Sequence, residues 1–420
     1  MQKYQEMFLR LDGFLHRHRM LWQQVPFYGE LTWPSQHAEL YQAILALDEH
    51  SLSLFEQDDT ANAEILLIKW LADFIDGLAE IATDIDALHD KKGGKTAGPS
   101  YQMAKFTDVG LPGRKKQQVL GFIHQLQADS IVDGKIGKVV DWCSGKGYLA
   151  SHLSYALDAQ VHCLEYDKSL CDKGQEQQKK QASKVCFHHH DVFQPLPEAI
   201  KLATQGADLH SALHACGDLH IEAIKQASQL GADMAIAPCC YHLIRDQHYQ
   251  ALSLLGKDSR LHLSKSDLRL AVLQSATAGQ RVKDLRLKET TWRIGFDLLL
   301  RQQTGANTYQ HQASFAKKQL AGSFLDFCQF MWQQTNQTAA IDWQTIDFTD
   351  LQNQAQLKHQ QVIRLEKVRL GFRPLLEAWL ILDRACFLIE QDYQVKLPKF
   401  CDWDVSPRNT LILAHKLNNK

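Results

Sequence analysis

The run Val139-Val140-Asp141-Trp142-Cys143-Ser144-Gly145-Lys146-Gly147-Tyr148-Leu149 constrains this chain more than any other, because apolar residues lead into a small-residue turn and then into a helix. The pattern reads as a strand ending near Asp141, a turn whose two glycines let the backbone approach a ligand closely, and a helix from Tyr148 whose N-terminal N–H groups face that ligand. One strand later, Val161-His162-Cys163-Leu164 ends in Glu165, a carboxylate placed to accept both hydroxyls of a ribose. A glycine turn followed by an acid at this spacing suits an adenosine-containing cofactor.

The residues just after the turn separate several nucleotide classes. A triphosphate-binding loop ends Gly-Lys-Ser/Thr, whereas Lys146 is followed by Gly147. A dinucleotide fold takes Gly-x-Gly-x-x-Gly, and Ala150 at the third position leaves that option open from the turn alone.

The rest of the chain alternates. Predicted strands at Val139–Asp141, Val161–Glu165, Val185–His189, Asp208–His214 and Met234–Ala237 are separated by helical stretches, which is the pattern of an α/β doubly wound parallel sheet. A last strand within 406–414 is expected to pair with one around 395–400 as a C-terminal antiparallel hairpin. Residues 1–90 carry helical apolar stripes, such as Phe8, Leu11, Phe14 and Leu15, and read as an α-helical N-terminal region. The polar, glycine-rich stretch within 91–112 reads as a linker, leaving 113–420 as the second domain with a helical insertion at about 243–390. The glutamine-rich portion 333–361 reads as loop with a helix or two.

With 420 residues, 45% hydrophobic and 22% charged, the chain suits one large or two medium globular domains. A formal net charge of −2 means that nucleic-acid binding would have to come from local basic clusters. Such clusters are Arg114-Lys115-Lys116, Lys91, Lys92 and Lys95 before the sheet, and Arg364, Lys367 and Arg369 in the insertion. The absence of an apolar leader or of an apolar run near 18 residues predicts a cytoplasmic chain with no membrane partner. Ten cysteines without a paired framework read as reduced thiols. No motif speaks to oligomeric state.

Further chemistry gathers at the strand ends. Asp191 falls just past the third strand, where it reads as a ligand-binding acid or a solvated loop acid; the neighbouring His188-His189-His190 alternates faces and cannot converge on one ion. His214 ends the fourth strand beside the switch point of the sheet, and Cys239, Cys240 and His242 end the fifth. Their readings are general base, nucleophile or acceptor orientation, against small core cysteines with one satisfied histidine. A zinc site from His214, Cys216, Cys239, Cys240 and His242 is chemically possible, but the spacings match no usual zinc pattern, and no metal is assigned.

Three motifs in order, Asp141-Trp142-Cys143-Ser144-Gly145-Lys146-Gly147, Leu213-His214-Ala215-Cys216-Gly217-Asp218 and Ala237-Pro238-Cys239-Cys240-Tyr241-His242, with Ser406-Pro407-Arg408-Asn409 near the end, resemble one group of methyltransferases. It comprises the methyltransferase-like protein twenty-five relatives, the glutathione-S-transferase C-terminal-domain-containing protein and the acceptor-stem tRNA 2′-O-methyltransferases, and the likeness spans about 110–245 and 365–415. The resemblance implies a class I, Rossmann-like methyltransferase sheet and S-adenosylmethionine as cofactor. Asp141, Cys143, Gly145, Gly147, Glu165, Asp191 and His214 match its donor-binding positions. Cys143 departs from the pattern, standing where many methyltransferases have their first glycine, and the cysteine-histidine finger of the tRNA enzymes is absent.

The resemblance also favours a positioning role for Pro238 to Tyr241, with His214 or His242 as proton acceptor, over a thiolate nucleophile. The acceptor expected on this analogy is RNA, held in part by Arg114, Lys115 and Lys116. The alternatives are a protein or small-molecule methyltransferase, or a catalytically silent binding module on the same fold.

Overall fold

The computed structural model describes residues 2–29, 31–55, 61–89, 111, 113–129, 136–181, 183–273, 280–335, 337 and 341–417. The expected linker at 91–112, with Lys91, Lys92 and Lys95, lies outside the described residues apart from Leu111. Contacts divide the chain into two units, Met1–Arg17, Ala79–Leu273 and Arg373–Lys420 in one, His18–Leu78 and Gln274–Phe372 in the other. This differs from the linear division into 1–90 and 113–420. The first helix and the flanks of the expected insertion group with the sheet, whereas 18–78 groups with 274–372.

The first unit is built on a seven-stranded sheet in the order β3-β2-β1-β4-β5-β7-β6. Its strands are β1 Lys138–Trp142, β2 Gln160–Glu165, β3 Val185–His189, β4 Leu209–Cys216, β5 Asp233–Cys239, β6 Tyr393–Lys396 and β7 Ile412–Lys416. The first five run parallel, and β7 lies antiparallel between β5 and β6. The doubly wound sheet with its terminal hairpin is thus as expected. Strands covered by helices on both faces bury successive residues, which is why β1 and β5 read as apolar runs without alternation. The last strand starts later than expected, at Ile412. Before it, Phe400 donates its N–H to the Asn409 carbonyl and the Asn409 amide donates to the Cys401 carbonyl at 2.7 Å, so the segment folds as a tight loop.

The core against the helix Gly113–Ala128 joins Val119, Phe122 and Ile123 to Val139, Leu153, Val161 and Leu411. The helix Gln2–Arg17 packs on Arg373–Glu390, where Phe8 meets the Trp379 ring at 5.2 Å between centroids and the Trp379 indole donates to Asp12 at 2.9 Å. Apolar contact and a satisfied indole together explain why this first helix belongs with the sheet.

The second unit is helical. Gln280–Thr304, Phe324–Gln333 and Phe348–Leu370 enclose Trp292, Phe296, Phe327 and Met331. The Gln-rich portion expected as loop with a helix or two holds the short helix Trp343–Thr345 and the start of the long helix Phe348–Leu370, begun by Asp347, whose carboxylate accepts from the Thr349 and Asp350 N–H groups. The basic residues expected to face a ligand here do not. Arg369 is buried, donating to the Trp22 carbonyl at 2.8 Å and pairing with Glu366; Lys367 is buried; and Arg364 donates to the Leu47 carbonyl at 3.1 Å. A guanidinium spent on main-chain carbonyls holds helices together. Among the described residues no helix is long and apolar enough to cross a membrane.

Candidate donor cavity and transfer site

In an open parallel sheet the strand order reverses at one point, and the crevice beyond the strand ends there is the usual ligand site. Here the reversal falls between β1 and β4. A cavity of about 470 Å³ opens there, lined by Asp141, Cys143, Ser144, Gly145, Lys146, Tyr148 and Leu149 from the β1 turn and helix, by Leu213 and His214 from β4, and by Leu111, Lys115, Val119 and Leu170. Pockets for cofactor-sized molecules span roughly 300–1,000 Å³.

The turn's shape is set by backbone conformations that favour glycine. Gly145 and Gly147 have φ of 59° and 73°, and a side-chain carbon on Gly147 would meet the Phe187 ring at 2.5 Å. Gly147 is thus fixed by both conformation and packing. Cys143, with φ of 55°, adopts the same region without the glycine's freedom. The Gly145 N–H donates to Glu165 Oε2 at 2.8 Å, while Glu165 Oε1 accepts from the Asp167 N–H at 2.9 Å. The acid expected to face a ribose therefore also ties the end of β2 to the turn of β1. It retains lone pairs beyond the two in use.

Asp141 is 1% exposed. Its Oδ1 accepts from the Ser211 hydroxyl of β4 at 2.9 Å, and its Oδ2 is buried with no hydrogen-bond partner. Burial pushes its carboxyl up to about 7, against smaller lowering by Ser211 and Ser144. An orphaned carboxylate oxygen at a cavity wall is a receptor for a cationic or N–H-bearing ligand.

Asp191 lies past β3, half-buried, with Oδ1 accepting from the Phe193 N–H at 3.0 Å. It is not among the residues that line the cavity, and neither are Gly147 and Glu165, which shape it from behind.

At the end of β4 the register against β5 slips. Leu213 pairs with Ala237, but the next pair is Cys216 with Cys239, so one extra residue bulges on β4. His214 occupies that bulge with φ of 71°, strained for a residue with a side chain. The bulge turns the imidazole to the cavity, where its Nε2 lies 2.6 Å from Gln118 Oε1. Because the Gln118 amide N–H is turned to the Val405 carbonyl, its oxygen faces the ring, so Nε2 carries the proton and Nδ1 the lone pair. Burial, then Lys115 and Arg408, lowers the His214 imidazole to about 4.

The expected cysteines take different surroundings. Cys239 is 6% exposed and Cys240 half-buried with φ of 48°, so three of the five non-glycine residues with positive φ among the described residues cluster at the ends of β1, β4 and β5. Cys216, Cys239 and Cys240 bring their sulfurs together. Hydrogen bonding with Cys216 and Cys239 pulls the Cys240 thiol down, and hydrogen bonding with Cys216 and Cys240 pushes that of Cys239 up. Between them and His242, Tyr241 anchors the segment, fully buried edge-on to His220 and beneath the Arg384 guanidinium. His242 is half-buried, its Nδ1 enclosed without a hydrogen-bond partner. All ten cysteines are unpaired.

Sequence reasoning missed Gln118 and Ser211. The signal for Gln118 was its place one helical turn after Lys115, on the same face of Gly113–Ala128. Nothing local marks Ser211, which is set by strand register opposite Asp141.

Residues 114–247 match the model of a family described as a methyltransferase domain. The matched stretch holds β1 to β5 and most of the cavity wall. S-adenosylmethionine is the cofactor of such domains, and the turn, cavity and orphaned carboxylate oxygen suit its adenosine, bulk and cationic groups. Similar solved structures include a fibrillarin/Nop5p complex, at 16% identity over 30% of this chain and 60% of that one, with a TM-score of 0.25. Another is the CcbJ methyltransferase of Streptomyces caelestis, at 17% identity over 30% of this chain and 52% of that one, with a TM-score of 0.24. The plantazolicin methyltransferase BpumL, solved with SAH, shares 13% identity over 42% of this chain and 58% of its own, with a TM-score of 0.23. The match thus spans little more than half of each of these chains.

Proposed function

We propose that this chain is a methyltransferase that binds S-adenosylmethionine in the β1–β4 cavity and transfers its methyl group to RNA. One observation carries the donor assignment: the cavity at the switch point combines the Gly145 turn, tied to Glu165, with a buried Asp141 oxygen that has no partner. Bound there, the donor supplies an electrophilic methyl on a positively charged sulfur. Asp141 would offset that positive charge or the donor's ammonium, and the free lone pairs of Glu165 would accept the ribose hydroxyls. Asp191 would accept from the adenine amine.

The RNA acceptor is supported by the resemblance of the three strand-end motifs and by local charge. Lys115 is exposed at the cavity, Arg114 is exposed beside it, and the Arg408 charge acts on His214 from the loop before β7. On this reading His214 Nδ1 takes the proton of the attacking hydroxyl as the oxygen–methyl bond forms and the methyl–sulfur bond breaks. Pro238 to Tyr241 and His242 orient the acceptor.

The test is incubation of the full chain and tritiated-methyl S-adenosylmethionine with RNA, protein and metabolite fractions of cells lacking the protein. Nuclease-sensitive label is expected. Label confined to protein or metabolites would replace the acceptor, and donor binding with no transfer to any fraction would favour a silent binding module.

A further inference from the structure

Three sulfurs converge where β4 and β5 end. The Sγ atoms of Cys216, Cys239 and Cys240 all lie within 4.8 Å of one another, and those of Cys216 and Cys239 are 3.7 Å apart. A tetrahedral cation bonded to sulfur at about 2.3 Å sets neighbouring sulfurs about 3.8 Å apart, so this pair already spans one edge of such a tetrahedron. We propose that Cys216, Cys239 and Cys240 form a binding site for a thiophilic divalent cation of the zinc class.

The backbone supports this independently of the sulfur spacing. The β4 bulge at His214 and the positive φ of Cys240 are what bring a residue of one strand and two consecutive residues of the next to one point. Neither departure from strand geometry improves apolar packing, since Cys216 and Cys240 remain half-buried. A cation would use both, joining the strand ends and holding the strained segment in place.

Charge balances as well. Three thiols each lose a proton on binding, so three thiolates and a divalent cation leave a single negative charge, and the Arg408 guanidinium acts on both Cys216 and Cys240. No other His, Cys, Asp or Glu atom joins the group among the described residues. The fourth corner therefore falls to a solvent or substrate oxygen, the arrangement of zinc sites with an open position. Cys143, which lines the donor cavity, interacts electrostatically with Cys216.

The experiment uses the full chain purified under reducing conditions, stripped with chelator and titrated with cobalt(II). A thiolate-to-cobalt charge-transfer band that saturates stoichiometrically and is displaced by zinc is expected, and it should be lost in Cys216→Ser and in Cys240→Ser. Alkylation of the unsubstituted protein read by peptide mass spectrometry serves if those variants do not fold. Zinc should protect Cys216, Cys239 and Cys240 while leaving the half-buried Cys186 as reactive as before. Absence of the band, a band unchanged in Cys216→Ser, alkylation at the three cysteines indifferent to zinc, or a Cys216–Cys239 disulfide in the reduced preparation would each overturn the proposal.

Discussion

The His214 imidazole donates its Nε2 proton to Gln118 Oε1 at 2.6 Å, so the bulged end of β4 is fastened to the helix that opens with Arg114, Lys115 and Lys116. This one bond fixes which ring nitrogen is free. Replacing Gln118 by Ala leaves the imidazole N–H without its partner and lets the tautomer change. An unsatisfied buried donor costs about 1–3 kcal/mol, so kcat is expected to fall roughly five- to a hundredfold while donor affinity stays close to normal. Steady-state kinetics beside calorimetric donor binding checks this; equal losses in both would mean that Gln118 acts only by holding the fold.

Glu165→Ala removes a carboxylate that tethers the β1 turn and that, on the proposed reading, accepts the ribose hydroxyls. Loss of hydrogen bonds to a charged acceptor predicts S-adenosylhomocysteine affinity weaker by about tenfold to a hundredfold. A folded variant with undiminished affinity would remove Glu165 from the donor site.

Asp141 gives a pH signature. Its carboxyl is pushed by burial from the usual value of 3.8 up to about 7. The native state therefore holds this proton more tightly than the unfolded chain, and the stability it contributes, present below pH 3.8, is lost as pH rises through about 7. The buried His210, lowered by desolvation to about 4, works in the opposite sense, gaining stability as pH rises from 4 toward 6.5. Only the difference between wild type and Asp141→Asn isolates the carboxyl. That difference should shift against the wild type by on the order of 4 kcal/mol between acid and neutral pH, measured by denaturant unfolding. A pH-independent difference would mean that the Asp141 carboxyl ionises in the folded chain as readily as in water.

The strand ends were legible because parallel strands covered on both faces write themselves as apolar runs, so Val139, Val161 and Met234 located β1, β2 and β5. The glycines and Glu165 were legible for the same reason: each falls at the end of such a run. The helix Phe348–Leu370 was obscured by glutamines, which carry no apolar stripe, and its stability comes from Asp347 at its start and from Leu351, Ala355 and Val362 packing inward. The roles of Arg364 and Arg369 depended on carbonyls more than 300 positions away. Least legible was the grouping of Cys216 with Cys239 and Cys240, which follows from a single-residue bulge in the register of β4 against β5. No spacing rule along the chain encodes that register.

If the proposed RNA acceptor is held by Arg114, Lys115 and Lys116, its binding is salt-sensitive. Lys115 is exposed at the cavity, whereas Lys116 is half-buried. The Lys115→Ala, Lys116→Ala double variant should flatten the slope of log affinity against log salt by about one unit, mostly through Lys115. An unchanged slope would return both to the class of solvated charges.

Cys239 is enclosed and its thiol pushed up by Cys216 and Cys240, which disfavours covalent attack by Cys239, while the Cys240 thiol is pulled down and is given a positioning role only by the resemblance of the Pro238 to Tyr241 segment. RNA carrying 5-fluorocytosine should therefore be turned over without a denaturation-resistant adduct. An adduct that disappears in Cys239→Ala or Cys240→Ala would make one of these cysteines a nucleophile.

The donor assignment is tested most directly by an experimental structure of the full chain grown with S-adenosylhomocysteine. The account predicts the ligand in the β1–β4 cavity, its amino or sulfur end beside Asp141 and His214, its ribose at Glu165 and its adenine toward Asp191. Ligand bound elsewhere on the chain, or a cavity that stays empty at concentrations saturating other methyltransferases, would contradict it.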